Sequence, residues 1–335
     1  MTTLPDPAIH LSADAAEKVF GRLLDERDLP EQDIANFLIG LTERSETAEE
    51  IAGAARALRA RLLPVAAPPG TIDVCGTGGD GHHTLNVSTA VSLIVSAAGV
   101  PVAKHGNRAA SSRSGAADTL EALGLDMEAA GRSAERTLAE LGICFLFAAN
   151  HHPAMRRIQP IRKRIGRRTI FNLMGPLSNP AGVQSQLIGI ARPAYVPIYA
   201  AAKAMLGTRH TMIVAGDEGL DELSLAGGNE VAEVRANTFE MRRLSADMLG
   251  FEHAPVEAIR GGDPVHNAAA LRALLDGAPG PYRDAAVFNA AAALHVAGRG
   301  SDWLERRTMA EQSIDSGRAR KLLHDWIRMA TEARA

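Results

Sequence analysis

The sequence predicts an α/β protein: a small all-helical N-terminal domain, then a large domain with a mostly parallel sheet flanked by helices. Three observations carry that expectation. Residues 12–64 keep helical spacing with no strand between them, residues from 71 onward alternate short apolar runs with amphipathic stretches, and Pro64, Pro68, Pro69 and Gly70 punctuate the junction. At 335 residues the chain is also long for a single core.

In the first region Ser12 is placed to cap a helix from Ala13, and Thr47 with Glu50 forms a capping-box pattern ahead of Ile51. Ile34, Phe37, Leu38 and Leu41 fall on one helical face. The helical domain is expected over residues 1–67, with a hinge near 64–70. In the second region the runs 72–75, 100–103, 143–147, 187–191 and 212–215 read as strands, with helices over 89–98, 116–123 and 132–141. Such alternation builds a parallel sheet covered on both faces, expected over 71–335. Residues 153–168 break the rhythm with a basic helix that contains no acid; it is expected to return to the N-terminal helices. The stretch 301–335 reads as helical and charged.

Composition excludes several classes. The 46% hydrophobic and 22% charged content is that of an ordinary globular protein, and only 4% aromatic residues favours close-packed helices over a β-sandwich. A formal net charge of -3 argues against a general nucleic-acid binder. Cys75 and Cys144 lie in apolar runs and read as buried thiols of a reducing compartment. Residues 1–12 show no signal-peptide pattern. The most apolar segment, 91–103, is broken by Ser92, Ser96, Gly99 and Pro101 and is too short for a bilayer. A soluble cytoplasmic protein is expected, without membrane or nucleic-acid partners.

The chemistry concentrates in two loops. Gly76-Thr77-Gly78-Gly79-Asp80-Gly81 follows a strand, and Asn86-Val87-Ser88-Thr89 opens a helix. Glycines at a strand's carboxyl end let backbone N–H groups approach an anion, and a helix N-terminus adds free donors and partial positive charge. The spacing Gly76, Gly78, Gly81 also matches a dinucleotide fingerprint. That reading needs a helix starting inside the motif and an acid about 20 positions on, and no Asp or Glu lies between Asp80 and Asp118. A P-loop fails for want of Gly-Lys-Ser/Thr. A tight turn without a ligand is the remaining alternative. The second loop, 104–114, carries Lys104, Arg108 and Arg113 as charges, Ser111, Ser112 and Ser114 as hydroxyls, and Gly106 as a flexible point. Two such loops on successive strands point to one ligand with two separated phosphate groups, held at the carboxyl edge of the sheet. His105 and Asn107 suit an aromatic or sugar ring, or else stabilise the turn.

Asp217, Glu218, Asp221 and Glu222 crowd into six positions, which calls for a cation such as Mg²⁺ or for free solvation. The basic stretch from Arg156 to Arg168 is mostly a solvated face, from which one inward Arg could clamp a carboxylate. His151-His152 lacks the spacing and partners of a zinc site.

Taken together, the segments CGTGGDG (75–81), NVSTA (86–90), KHGNRAASSRSGAADTLEALG (104–124), HPAM (152–155), RTIFNLMGPLSNPAG (168–182) and GLDELS (219–224) closely resemble the anthranilate phosphoribosyltransferases. The resemblance spans roughly residues 12–330. It implies a pentosyl transfer from 5-phosphoribosyl 1-pyrophosphate (PRPP) to the amine of anthranilate, in tryptophan biosynthesis, by an Mg²⁺-dependent homodimer joined through its helical domain. Residue by residue it implies a PRPP site at Gly76, Gly79, Asp80, Thr84, Asn86, Val87, Ser88, Thr89, Lys104, His105, Gly106, Asn107, Arg108, Ala109, Ala110, Ser111, Ser112 and Ala116. Anthranilate would meet Gly76, Asn107, His152, Arg162 and Pro176, with His105 also beside it. Ser88, Asp221 and Glu222 match the metal ligands; His105, Asn107 and Arg162 are the expected catalytic group, with His105 the expected proton acceptor. The chain departs from the family pattern at Ala116, where Ser is common, and at His151, Ala215 and Glu218, where Tyr, His and Asp are frequent. A pyrimidine nucleoside phosphorylase shares this architecture but is not expected to need the acidic pair.

Overall fold

The computed structural model describes residues 3–109 and 113–332. Three helices open it: α1 (Ala13–Asp25), α2 (Glu31–Arg44) and α3 (Ala48–Arg59). Ser12 Oγ accepts the Ala15 N–H at 3.3 Å, and Thr47 and Glu50 close a reciprocal capping box. Glu50 is fully buried because it also receives the Leu11 N–H and the Arg44 guanidinium, so every lone pair it brings inside is used.

The rest of the chain runs β1 (Ile72–Gly76), α4 (Val87–Ala97), β2 (Val102–Gly106), α5 (Ala116–Ala122), α6 (Met127–Arg132), α7 (Ala134–Leu141), β3 (Ile143–Phe147), α8 (Ala148–His151) and α9 (Met155–Ile165). It continues through β4 (Ser185–Gly189), α10 (Val196–Leu206), β5 (Thr208–Gly216), β6 (Gly228–Ala236), β7 (Thr238–Ser245), α11 (Pro264–Leu275), α12 (Pro281–Val296), α13 (Trp303–Asp315) and α14 (Arg318–Glu332). The seven strands form one sheet in the order β3-β2-β1-β4-β5-β6-β7. The first five are parallel and β6 and β7 are antiparallel. Strand order reverses between β1 and β4, so a crevice opens at their carboxyl ends, Gly76 and Gly189.

Alternate residues of each strand enter different cores, as a pleated sheet requires. Val74, Leu187, Met212 and Val214 pack under α4 and α12. Cys75, Ile188, Ile190, Ile213 and Ala215 belong to the same apolar cluster as Phe20, Ile34, Leu38 and Ile51 of the N-terminal helices. The helical bundle therefore shares its core with one face of the sheet. From α9 Arg157 donates to the carbonyls of Leu23 and Leu29, both at 3.1 Å, and just beyond the helix Arg167 pairs with Glu43 at 2.8 Å. The 64–70 stretch is tied at Leu63 to His151 through two hydrogen bonds, at Val65 to Pro180 and at Ala66 to Glu135.

Three expected strands need correction. The run expected at 100–103 is a strand that starts later and continues through Lys104, His105 and Gly106, so these three are sheet residues. Strands β6 and β7 escaped the sequence reading because an edge hairpin with one wet face alternates charges with small apolar residues and leaves no apolar run. The expected strand at 187–191 starts and ends two residues earlier, and that at 212–215 extends to both sides.

Candidate active site

The site is built over the β1/β4 crevice, and glycine makes it possible. A Cβ on Gly189 would fall 1.5 Å from the Asp221 carbonyl oxygen, and one on Gly76 2.4 Å from Asp221 Oδ2. The 219–224 turn can therefore lie directly on the strand ends. Leu220 and Leu223 are buried, and Asn289 of α12 exchanges hydrogen bonds with both the N–H and the carbonyl of Leu223, at 2.9 and 2.8 Å. A lone Asn in the alanine-rich α12 was the sequence signal for this support.

Of the four clustered acids only two face the crevice. Asp217 forms a two-pronged pair with Arg243, and Glu218 accepts from the Ser224 hydroxyl. Asp221 Oδ2 accepts the Gly78 N–H at 2.7 Å, and Glu222 Oε1 the Ser88 N–H at 3.1 Å. Glu222 Oε2 is buried with no partner. Desolvation and the neighbouring Asp80 push the Asp221 carboxyl up to about 7, and burial beside Asp221 pushes Glu222 well above its ordinary range. Asp221 and Glu222 repel each other with one oxygen orphaned, and two such carboxylates beside the Ser88 hydroxyl offer the hard oxygens a divalent cation takes. The residues present fit such an ion.

Lys104 lies beneath. It is 3% exposed, and its Nζ donates to the Val74 carbonyl at 2.8 Å and to Ser88 Oγ at 3.0 Å. Its charge was expected on a phosphate; it instead holds Ser88 and balances the acids from below. Asp73, fully buried, takes the His105 N–H at 3.1 Å. Thr89 is also buried, with its hydroxyl unpartnered, and Val87 is buried completely. The Val87 N–H goes to the Leu85 carbonyl, so neither its side chain nor its amide faces a ligand.

The glycine loop is held open from two sides. Gly78, Gly79 and Gly81 have φ of 66°, 72° and 84°, and Arg168 donates to the carbonyls of Gly78 at 2.9 Å and Gly79 at 3.3 Å. Asp80 caps its own turn through the His82 N–H, and Thr84 bridges Arg260. Asn86 closes the loop rather than reaching out. Its amide oxygen accepts from Thr119 Oγ1 at 2.5 Å and from Asn267 at 2.9 Å.

On the second loop the expected phosphate cation Arg108 is already paired, with Asp118 at 3.0 Å and with both oxygens of Glu121, and it lies 5.7 Å from the Phe147 ring centroid. Asp118 also takes the N–H groups of Ala109 and Gly115, both at 2.9 Å, and so staples the two ends of the loop together. Asn107 is exposed, its side-chain oxygen on the Arg108 N–H. Ala110, Ser111 and Ser112 lie outside the described residues. Ala116 packs against Gly106, where a Cβ would also meet Phe145 at 2.7 Å.

The third wall is the 169–178 segment. Arg162 donates to Asn172 Oδ1 at 3.3 Å; it is part-buried, and among the described residues no acid pairs with it. His105 Nδ1 lies 2.9 Å from the Gly175 carbonyl, which makes it the protonated nitrogen and leaves Nε2 as acceptor. That Nε2 meets His152 Nε2 at 3.3 Å. Burial holds both rings neutral, with pKa values lowered to about 4 for His105 and about 3 for His152. The expected proton acceptor is therefore a weak base whose lone pair is occupied. Pro176 joins the same wall, its carbonyl accepting from Gln186 at 2.8 Å. Sequence reasoning gave no role to Arg168, Asp118, Asp73, Asn172, Asn267 and Asn289; Arg168, Asn172 and Asp118 lie in motifs it quoted, and the other three lie outside them.

The chain matches the family models described as "Glycosyl transferase family, a/b domain" over residues 68–320 and "Glycosyl transferase family, helical bundle domain" over 8–62. It is 73% identical over 330 residues to an anthranilate phosphoribosyltransferase of Erythrobacter litoralis, covering 98% of this chain and 100% of that one. It superposes on the crystal structure of an anthranilate phosphoribosyltransferase from Thermus thermophilus with a TM-score of 0.91, at 39% identity and 97% coverage of each chain. The Saccharomyces cerevisiae enzyme in complex with PRPP and Mg matches with a TM-score of 0.86, at 30% identity over 96% of this chain and 94% of that one. With fold, motifs and full-length likeness in agreement, the chain belongs to the anthranilate phosphoribosyltransferase family.

Proposed function

We infer that this chain does what its family name states: it transfers 5-phosphoribosyl from PRPP to the amine of anthranilate, giving N-(5-phosphoribosyl)anthranilate and pyrophosphate. The observation that carries the site assignment is the orphaned, cation-hungry pair Asp221–Glu222 facing the glycine loop across the β1/β4 crevice. Mg²⁺ fits there, with Ser88, Asp221 and Glu222 as its protein ligands, and when bound it neutralises charge on the pyrophosphate. The loop residues Gly76, Gly79 and Asp80 with Ser88 and Thr89 form the pyrophosphate side of the groove. The N–H groups of Gly79 and Asp80 are fixed dipoles that stabilise the leaving group without reorganising.

Anthranilate sits beside them against the 169–178 wall. The free guanidinium of Arg162 clamps its carboxylate, and Asn107 orients the amine. Bond breaking at C1 builds positive charge on the sugar, and an arylamine is nucleophilic enough to meet it from a fixed position. The His105–His152 pair is the acceptor for the proton the amine then loses, because an aryl-ammonium is acidic enough to protonate a weak base.

The division into a helical body (1–67 with 153–168), a joint near 64–70 and an α/β body from 71 is part of this reading, as are a homodimer through the helical body and a cytoplasmic location. No helix among the described residues is long and apolar enough to cross a membrane. A mass-spectrometric assay with PRPP, anthranilate and Mg²⁺ tests the activity: the phosphoribosylated product is expected. Phosphorolysis of a pyrimidine nucleoside in its place would assign the site to the other chemistry of this architecture.

A further inference from the structure

We infer that Arg168 is a positioning residue for the pyrophosphate loop, and that it sets the direction in which the loop's N–H groups point. Arg168 lies outside every helix, between α9 and the 170–173 turn, beside Arg167, which anchors to Glu43 of α2. Its guanidinium reaches into the glycine loop and takes two consecutive carbonyls, Gly78 and Gly79. All peptide bonds of the described chain are trans, and in a trans peptide the C=O and N–H of one unit point in opposite directions. Turning the Gly78 and Gly79 carbonyls toward Arg168 therefore turns the N–H groups of Gly79 and Asp80 away from it.

Among the described residues neither of these two N–H groups meets an acceptor, whereas the Gly78 N–H is held by Asp221 Oδ2 at 2.7 Å. Two successive free amides, on Gly79 with positive φ and on Asp80 without it, make the turn-like anion-binding nest. A loop with three positive-φ glycines has many other conformations of similar energy and does not choose this one unaided. Arg168 supplies the choice. Asp221, Asp80 and Glu46 attract its guanidinium, and Arg192 opposes it. Because Glu46 and Glu43 belong to the helical body, the orientation of the loop amides is tied to the placement of that body on the sheet.

The inference rests on reading the glycine loop as the PRPP grip. Full-length Arg168→Gln is the test, with steady-state kinetics for each substrate and calorimetric binding of pyrophosphate in Mg²⁺. Loss of charge-assisted hydrogen bonds predicts a roughly tenfold rise in KM for PRPP and a similar loss in pyrophosphate affinity. The KM for anthranilate should stay within about twofold, and the melting temperature should hold. Arg168→Lys, which keeps one ammonium within reach of the carbonyls, restores part of the PRPP affinity and carries the test if the Gln variant does not fold. Equal rises in both KM values, or unchanged pyrophosphate binding, overturn the role. Asp221→Asn serves as reference: if it weakens pyrophosphate and Arg168→Gln does not, only this inference falls; if neither does, the reading of the loop falls with it.

Discussion

Glu222, in the connection between β5 and β6, and Glu233, within β6, have opposite surroundings. Glu222, just before β6, has one oxygen on a backbone N–H and the other orphaned among like charges. Glu233, within β6, is saturated: His210 and His295 meet its Oε1 at 2.9 and 3.0 Å, Arg235 at 2.7 Å, and Arg242 approaches Oε2 at 3.5 Å. Its carboxyl is held down at about 2 while Glu222 is pushed up. His210, Glu233 and His295 are also the one group of three ligand-type side chains found close together among the described residues. Yet the two arginines already neutralise the carboxylate, so the cluster is complete without an ion. A carboxylate left unsatisfied marks where a partner is to arrive; one with every donor supplied marks structure.

Four variants break or sharpen that contrast. Glu222→Gln should lower kcat/KM for PRPP by roughly a thousandfold, about 4 kcal/mol of transition-state stabilisation, while metal-free melting temperature stays level or rises because a buried unpaired charge is gone. A destabilised but active variant would make Glu222 structural. Glu233→Ala should do the reverse, costing about 3 kcal/mol of unfolding free energy in urea with both KM values unmoved; loss of activity at full stability would contradict the division of labour. Arg162→Ala should raise the KM for anthranilate roughly thirtyfold, about 2 kcal/mol for one end of a partly desolvated ion pair, with little change for PRPP. Equal effects on the two substrates would remove it from the carboxylate clamp.

The smallest effect is in pH. Burial lowers His210 from 6.5 to about 4, so between those values the unfolded chain binds more protons than the folded one. Stability is therefore lost as pH falls from about 6.5 toward 4, more in wild type than in His210→Gln. The Glu233 contribution, from a carboxyl depressed from 4.5 to about 2, is intact above about 4.5 and is lost progressively below it as pH falls toward 2. Parallel urea denaturation at pH 7 and 4.5 checks the sign; a wild type that gains stability on acidification would reverse it.

Much of this site was legible because its residues are local. Gly76 to Gly81, Asn86 to Thr89 and Asp221-Glu222 sit in short segments whose composition states their chemistry. The four-acid cluster shows the limit. Composition cannot tell Asp217 and Glu218, which find Arg243 and Ser224, from Asp221, which lies over Gly76 and Gly189, and Glu222, which takes the Ser88 N–H. Lys104 and Arg108 show the same limit: each is a cation in a phosphate-like motif, and each also has protein partners whose positions only the fold supplies.

By itself the sequence determined the helical bundle, the central parallel strands and the loops that carry chemistry, because periodicity, capping and glycine spacing act over a few residues. Tertiary structure decided the edge hairpin, the sharing of one core between bundle and sheet, and which charges stay free. It also brought Arg168 to the carbonyls of Gly78 and Gly79, about ninety positions away along the chain. A charge becomes functional or structural according to what the fold places within hydrogen-bond reach of it, and that distance is set by packing.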